Sequence, residues 1–374
     1  MKNMSKYLNA TRDKGCKVIG CLPLYPPLEL FHSLGLVPVI IWGLSDSTRR
    51  VERSDKHIQP YACSVARRLT EFLLSENGTA LDGLFMYNAC DTLRNLPEIL
   101  NCGLAEVGRA LPIFKIHIPM APREQTESTA YLSARIEALI HELEVTFQVT
   151  FSQERFRQSV SLYREMKNLS KELGKNVAEG FISYGEYSLI VREGWFVPVE
   201  EQIIALRKAL QNSPRCSREN EPSTGKGRII VSGILPPPAH IIQVFENAGL
   251  TVVGNDIASQ SRSLFYTPTA MDEPASYYAD FYQHHYPCTT LLHTADRRVA
   301  AIRELVANTG AQGFVFIGEK FCEFEYFEIP YLGKILKDIG IRTLFLEISI
   351  DDDENSASYE TRIEAFSELM KGGF

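Results

Sequence analysis

The sequence predicts an α/β protein of two similar, doubly wound parallel-sheet domains with a helical segment between them. Three observations lead there. Apolar runs of strand length alternate with helical patterns along the chain. The runs are apolar throughout instead of alternating with polar residues, as in parallel sheets covered on both faces. The same order of elements also occurs twice, which gives the two domains.

The repeat is visible in KVIGCLPLYPPLELFHSLGLVPVIIWG (17 to 43) and RIIVSGILPPPAHIIQVFENAGLTVVG (228 to 254). Each reads as an apolar strand, a Gly/Pro turn, a helix of about three turns ending at Gly35 or Gly249, and a second strand. LDGLFMYNACD (81 to 91) then matches AQGFVFIGEKFC (311 to 322), and LPIFKIHIP (111 to 119) matches IRTLFLEIS (341 to 349). Between the repeats, Leu132, Ile136, Leu139, Ile140, Leu143 and Phe147, then Phe156, Val160, Tyr163, Met166, Leu169 and Leu173, recur at helical spacing. The polar stretch SPRCSRENEPSTGKGR (213 to 228) has loop composition. The expected division is a first α/β domain over 1–150, a helical segment and linker over 151–220, and a second α/β domain over 221–374. Each α/β half is expected to be flavodoxin/Rossmann-like.

Composition narrows the function classes. At 374 residues the chain exceeds one ordinary hydrophobic core, and 45% hydrophobic with 23% charged residues is a globular balance. A formal charge of −7 argues against a nucleic-acid partner, which would draw on clustered Lys and Arg. The stretch MKNMSKYLNATRDKGCKVIG lacks the apolar core of a secretory signal, and no run reaches the roughly 18 apolar residues of a spanning helix. The expectation is a cytoplasmic protein with no membrane partner. Its eight cysteines are then thiols or metal ligands instead of disulfides.

In open α/β sheets, sites gather beyond the carboxyl ends of the strands. Cys90 and Cys322 fall just past a strand at corresponding places in the two halves, and Cys63 sits where a loop enters a helix near Ser64. A helix amino terminus favours a thiolate, through its unpaired N–H groups and positive dipole end. Each of the three is also readable as a packing residue, because cysteine is among the most buried residue types. Cys16, Cys21 and Cys102 read as core or near-core thiols, and Cys216 falls in the linker. His284, His285 and Cys288 in QHHYPC form a weaker zinc candidate, since adjacent histidines point in opposite directions. Asp55 reads as a cleft or surface residue, and Ser64 as a helix cap. STGKGR lacks the frame of a phosphate loop, no G-x-G-x-x-G follows a strand, and DDDEN (351 to 355) reads as a solvated turn.

Taken together, IGCLPLYPPLELFHSLGLVPVIIWG, ACS (62 to 64), CDTLRNL (90 to 96), KFC (320 to 322) and TLFLEIS…TRIEAFSEL (343 to 369) resemble the 2-hydroxyacyl-CoA dehydratase family. That family also includes the cluster-bearing subunits of benzoyl-CoA reductase. The resemblance implies a [4Fe-4S] cluster in the cleft between the domains, held by Cys63, Cys90 and Cys322, with one iron lacking a protein thiolate. It implies binding of an acyl-CoA thioester, one-electron reduction to a ketyl, and radical elimination of water. The implied partners are a larger paralogous subunit or a second copy of this chain, and an ATP-dependent [4Fe-4S] activator.

Gln59-Pro60-Tyr61 stands where larger subunits of the family often carry His-Pro-Asp, and Ser358-Tyr359-Glu360 stands where a Gly-Gln usually leads into Thr361-Arg362. Both departures, with the short chain, resemble the smaller β-type subunit. CDTLRNL and GWFVPVEEQ (194 to 202) lean toward the reductases, and YACS and TRIEAF toward the dehydratases. An electron-relay subunit without its own substrate site and a zinc-stabilised α/β domain are the readings from other classes.

Overall fold

The computed structural model describes residues 4–41, 50–119, 126–213, 227–270, 272–288, 290–291, 295–349 and 356–372. Cys216, most of the 213 to 228 stretch and the acidic run 351 to 355 lie outside these residues.

The first repeat runs α1 (Met4–Asp13), β1 (Lys17–Cys21), α2 (Leu28–Ser33), β2 (Leu36–Ile40), α3 (Ser64–Leu74), β3 (Gly83–Tyr87), α4 (Asp91–Glu106) and β4 (Ile113–Ile116). Its strands form one parallel sheet in the order β2-β1-β3-β4. Every residue of β3 is buried, as expected of a central strand covered on both faces. Helix α2 is shorter than the three turns expected. Pro26 has no N–H and Pro27 occupies the N-cap, so helix begins only at Leu28, and Gly35 closes it at a φ of 79°.

Four helices follow: α5 (Thr126–Phe147), α6 (Gln153–Ala178), α7 (Tyr184–Gly194) and α8 (Val199–Asn212). The expected stripe is the buried one, with Leu132, Ile136, Leu139 and Leu143 on α5 and Phe156, Val160, Tyr163 and Leu173 on α6 all shielded from water. Phe147 of α5 tilts against Phe114 of β4 at 5.6 Å between ring centroids, so α5 covers one face of the first sheet.

The second repeat runs β5 (Arg228–Gly233), α9 (Ala239–Asn247), β6 (Thr251–Ile257), a π turn over Ala258–Arg262, α10 (Pro274–His284), α11 (Ala295–Thr309), β7 (Gly313–Glu319), α12 (Glu323–Asp338), β8 (Arg342–Ile348) and α13 (Ser356–Lys371). Its order, β6-β5-β7-β8, all parallel, reproduces that of the first sheet. Ile230, Val253, Phe314 and Phe316 pack with Ile302 of α11 and with Leu332 and Leu336 of α12. Gly313 lies against Phe366 and Met370 of α13 and against Ile229, where a side chain would crowd all three. The two faces of the second sheet are therefore covered by different helices, the doubly wound arrangement.

The chain divides into two compact units. The first comprises Met1–Lys167, Glu193–Gln202 and Phe265–His293, and the second comprises Asn168–Arg192, Ile203–Leu264 and Thr294–Phe374. The segment carrying α10 joins the first unit through buried polar bonds. Tyr278 donates to Glu29 at 2.9 Å and accepts from the Leu30 N–H at 3.0 Å, and Tyr282 donates to the Tyr25 carbonyl at 2.9 Å. Among the described residues no helix is long and apolar enough to cross a membrane.

Candidate functional site

Strand β3 ends at Tyr87 and Cys90 follows three residues later; strand β7 ends at Glu319 and Cys322 follows three residues later. Each cysteine is the N-cap of the next helix, α4 and α12. Cys63 is the N-cap of α3. All three candidate ligands therefore sit at helix amino ends, where the first N–H groups lack helical partners and the dipole is positive. At Cys90 the Leu93 N–H donates to the sulfur at 3.4 Å. All three residues are half-buried.

The loop before Cys63 is fixed to its helix by charge. Glu71, buried on α3, accepts from the N–H groups of Arg53 at 2.7 Å and Ser54 at 3.0 Å, and from the Arg53 guanidinium at 3.0 Å. Asp55 pairs with Arg67 at 2.7 Å, one turn into α3. Ser64 is the first helical residue and is buried, so the cap is the cysteine and not the serine.

Tyr87 is buried at the end of the strand before Cys90, and Asp91 and Arg94 just after the cysteine are exposed and pair at 3.1 Å. Burial pushes the Tyr87 phenol well above its ordinary range, Cys288, Tyr282 and Cys90 add to the rise, and the Thr290 hydroxyl offsets part of it. Cys288 lies 3.3 Å from Thr290, and the His285 ring packs on Tyr25 at 3.9 Å between centroids. Farther from the cysteine, Glu29 is buried with Lys167 at 3.0 Å and Tyr277 at 3.3 Å. Burial works to raise its pKa, and Lys167 with the Tyr278 hydrogen bond outweighs this, leaving the carboxyl below its usual range. Asn88 ties β3 to the chain after β4 by donating to the Ile118 carbonyl at 3.2 Å and accepting from the Ile118 N–H at 2.7 Å.

The second unit uses charge at the same end of its sheet. Asp256, the next-to-last residue of β6, is 1% exposed and accepts from Arg298 at 2.7 and 2.6 Å, from Arg262 at 3.1 and 3.0 Å, and from Ser232 at 2.7 Å. Arg298 also bonds Glu328 of α12 at 2.8 Å. Desolvation opposes ionisation of Asp256, but the two guanidiniums prevail and hold its carboxyl far below the ordinary range. Glu325, in the first turn of α12, accepts from the N–H groups of Ile234 and Glu319, each at 2.7 Å, and burial pushes it up to about 7.

Of the other cysteines, Cys21 is buried as expected and Cys16 is half-buried, whereas Cys102 is exposed, a correction that follows from its place on the outer face of α4. In QHHYPC, His284 is exposed and pairs with Asp280 at 2.6 Å, while His285 and Cys288 are buried. Among the described residues no group of three or more His, Cys, Asp or Glu side chains is gathered to hold a metal ion. Cys63 and Cys90 belong to the first unit and Cys322 to the second.

The Asp256 network and the tyrosines of α10 were not legible in the sequence. Their members are isolated residues 6 to about 250 positions apart, and only the α/β rule that strand ends gather sites pointed to their surroundings. At the amino end of the first sheet a separate cavity of about 420 Å3 is lined by residues that include His32, Arg155, Tyr163 and Glu200. His32 bridges Ser159 at 2.8 Å and Glu200 at 3.1 Å there.

Comparison with known proteins gives these features a context. Residues 23–370 match the model of the family described as 2-hydroxyglutaryl-CoA dehydratase, D-component. The chain is 24% identical to the β subunit of (R)-phenyllactyl-CoA dehydratase from Clostridium sporogenes, over 99% of this chain and 96% of that one. It is 24% identical to the β subunit of lactoyl-CoA dehydratase from Anaerotignum propionicum, over 96% and 93% of the two chains. A benzoyl-CoA reductase subunit from Thauera aromatica is 25% identical over 86% of this chain and 82% of its own. The protein belongs to the 2-hydroxyglutaryl-CoA dehydratase D-component family and is an enzyme subunit of that lyase-type family.

Proposed function

We propose that this chain is the cluster-bearing β-type subunit of a 2-hydroxyacyl-CoA dehydratase, which eliminates water from a 2-hydroxyacyl-CoA thioester by a radical route. The observation that carries this reading is that Cys63, Cys90 and Cys322 each cap the amino end of a helix, two of them at the same place in a repeated sheet. What supports an iron–sulfur cluster is the chemistry of the donors: three half-buried thiols, each at a helix amino end where N–H groups favour the thiolate that iron requires. When bound, a [4Fe-4S] cluster with one iron free of protein thiolate supplies one-electron transfer and a Lewis acid for a thioester carbonyl.

In this reading the chain's own work is to hold the thiolates and to keep water away from the reacting groups. Buried Tyr87, with Tyr282 and Cys288 near its phenol, would exclude water on the first unit's side of Cys90. The cluster would occupy a cleft between α/β domains set at 1–150 and 221–374, with 151–220 as the helical connector. The proposed partners are a larger paralogous subunit or a second copy of this chain, an ATP-dependent [4Fe-4S] activator and an acyl-CoA substrate, in the cytoplasm.

A second reading, the equivalent subunit of a benzoyl-CoA-type reductase, is supported by the 25% identity to the Thauera protein. The assembled complex, purified without oxygen and supplied with activator and ATP, is assayed with 2-hydroxyacyl-CoA and with aromatic acyl-CoA. Enoyl-CoA formation supports the dehydratase. Turnover of the aromatic thioester alone supports the reductase, and activity on neither substrate class contradicts both.

A further inference from the structure

We propose that Glu325 is the positioning residue of the turn that presents Cys322. This inference rests on the reading of Cys322 as a cluster ligand. The turn runs from Glu319, the end of β7, to Cys322, the cap of α12, and is closed by the Cys322 N–H donating to the Glu319 carbonyl at 2.9 Å. Phe321 within it adopts a left-handed backbone, φ 66°, that a bulky side chain disfavours, and its ring is 49% exposed. Such a conformation persists only where the surroundings impose it.

The Glu325 carboxylate is in place to impose it. One oxygen accepts from the Glu319 N–H, where the turn begins, and the other from the Ile234 N–H, just past the end of the neighbouring strand β5. Helix α12 carries Glu325 three residues beyond Cys322, so strand end, cysteine and first helical turn form one closed, hydrogen-bonded ring. A two-oxygen acceptor of this reach can hold both N–H groups at once; an amide keeps one acceptor and turns a donor toward the second N–H. Gly233 fits the arrangement, because a side chain there would press on the Ile317 carbonyl and come within 3.2 Å of the carboxylate. In the first sheet the residue at the corresponding place is Leu93, and Asn88 ties the end of β3 to the chain beyond β4, the neighbour on the other side.

The test uses the full chain purified without oxygen, in wild-type, Glu325→Gln and Glu323→Gln forms. Glu323 lies in the same helical turn and is exposed, so its variant controls for lost charge at the helix end. Two rates are read: iron loss to EDTA from the loaded protein, and alkylation of Cys322 by iodoacetamide in the iron-free protein, with exposed Cys102 as internal reference.

Both rates are read at about pH 8.5, where a carboxyl pushed up to about 7 is ionised, and loss of one charge-assisted hydrogen bond then corresponds to about tenfold. Glu325→Gln is therefore expected to accelerate both rates by about that factor, and Glu323→Gln neither; equal rates in the two variants overturn the proposal. If the wild-type protein carries no iron, the cluster reading falls by itself and the alkylation ratio decides the role of Glu325. Should Glu325→Gln fail to fold, Glu325→Asp takes its place. Amide hydrogen exchange of the wild-type protein stands beside both variants: protection of the Ile234 and Glu319 N–H groups is expected, and exchange of either at the unprotected rate overturns the proposal.

Discussion

The turn ending at Cys90 and the turn ending at Cys322 have the same length and follow the same strand of sheets with the same order, yet different chemistry holds them. The first relies on a neutral side chain, Asn88, beside the buried ring of Tyr87. The second relies on a buried carboxylate, Glu325, beside the Asp256, Arg262, Arg298 and Glu328 network. The difference teaches that a duplicated fold fixes where a functional side chain appears and leaves open how its support is built. Neutral packing tolerates the loss of one member, whereas a buried charge network leaves an uncompensated charge when one member is removed.

Breaking each support separately measures this contrast. The largest expected effect is that of Asp256→Asn, which removes the carboxylate shared by two buried guanidiniums, Arg298 keeping Glu328, and costs about 3–5 kcal/mol, read from urea unfolding. If the loss is under about 1 kcal/mol, the network is not what holds the second sheet's carboxyl end. Glu29→Gln is expected to cost about 1–3 kcal/mol, because Lys167 loses its counter-charge while the tyrosine hydroxyls keep one acceptor. Asn88→Ala removes two hydrogen bonds to Ile118 at a half-buried site and is expected to cost about 1–2 kcal/mol. A cost above that of Asp256→Asn would reverse the comparison between the two turns.

The smallest effect at neutral pH appears only on acidification. Asp256 and Glu29 both have carboxyls held below their ordinary values, so each contributes stability that is present above about pH 4 and is lost as pH falls through its folded-state value. The depression is deeper at Asp256, where two guanidiniums face one carboxylate. Asp256→Asn is therefore expected to flatten the acid limb of the stability curve more than Glu29→Gln does. Urea midpoints collected from about pH 6 to about pH 2 test this, and equal flattening down to the lower end contradicts it.

The sheets were legible because their strands are uninterrupted apolar runs bounded by glycine and proline. The strand now bounded as Gly83–Tyr87, for example, is recognisable within LDGLFMYNACD. The helix closures at Gly35 and Gly249 were legible because both glycines take the left-handed conformation that ends a helix, at φ 79° and 77°. The shortness of α2 was not legible: Pro26 and Pro27 read as part of the turn, and nothing in the helical spacing up to Gly35 shows that helix starts only at Leu28. Membership of Phe265–His293 in the first unit had no local signal: Tyr278 reaches Glu29 across a separation of 249 residues, and nothing in YYADFYQHHYP names that partner. Cys90 and Cys322 stood out by their position after strands and Cys63 by its place at a helix start, and the family resemblance is what joined the three as ligands. Glu325 escaped notice because a lone glutamate in a helix's first turn reads as an ordinary dipole partner, and only its two buried N–H donors distinguish it.

The central claim is that Cys63, Cys90 and Cys322 together hold iron and sulfide. Iron and acid-labile sulfide per chain, measured after oxygen-free purification of the wild-type, Cys90→Ser, Cys322→Ser and Cys102→Ser forms, tests it most directly. About four of each per chain are expected in the wild-type and Cys102→Ser proteins, and a clear loss in the other two. Equal metal content in all four, or none in the wild-type protein, would contradict it.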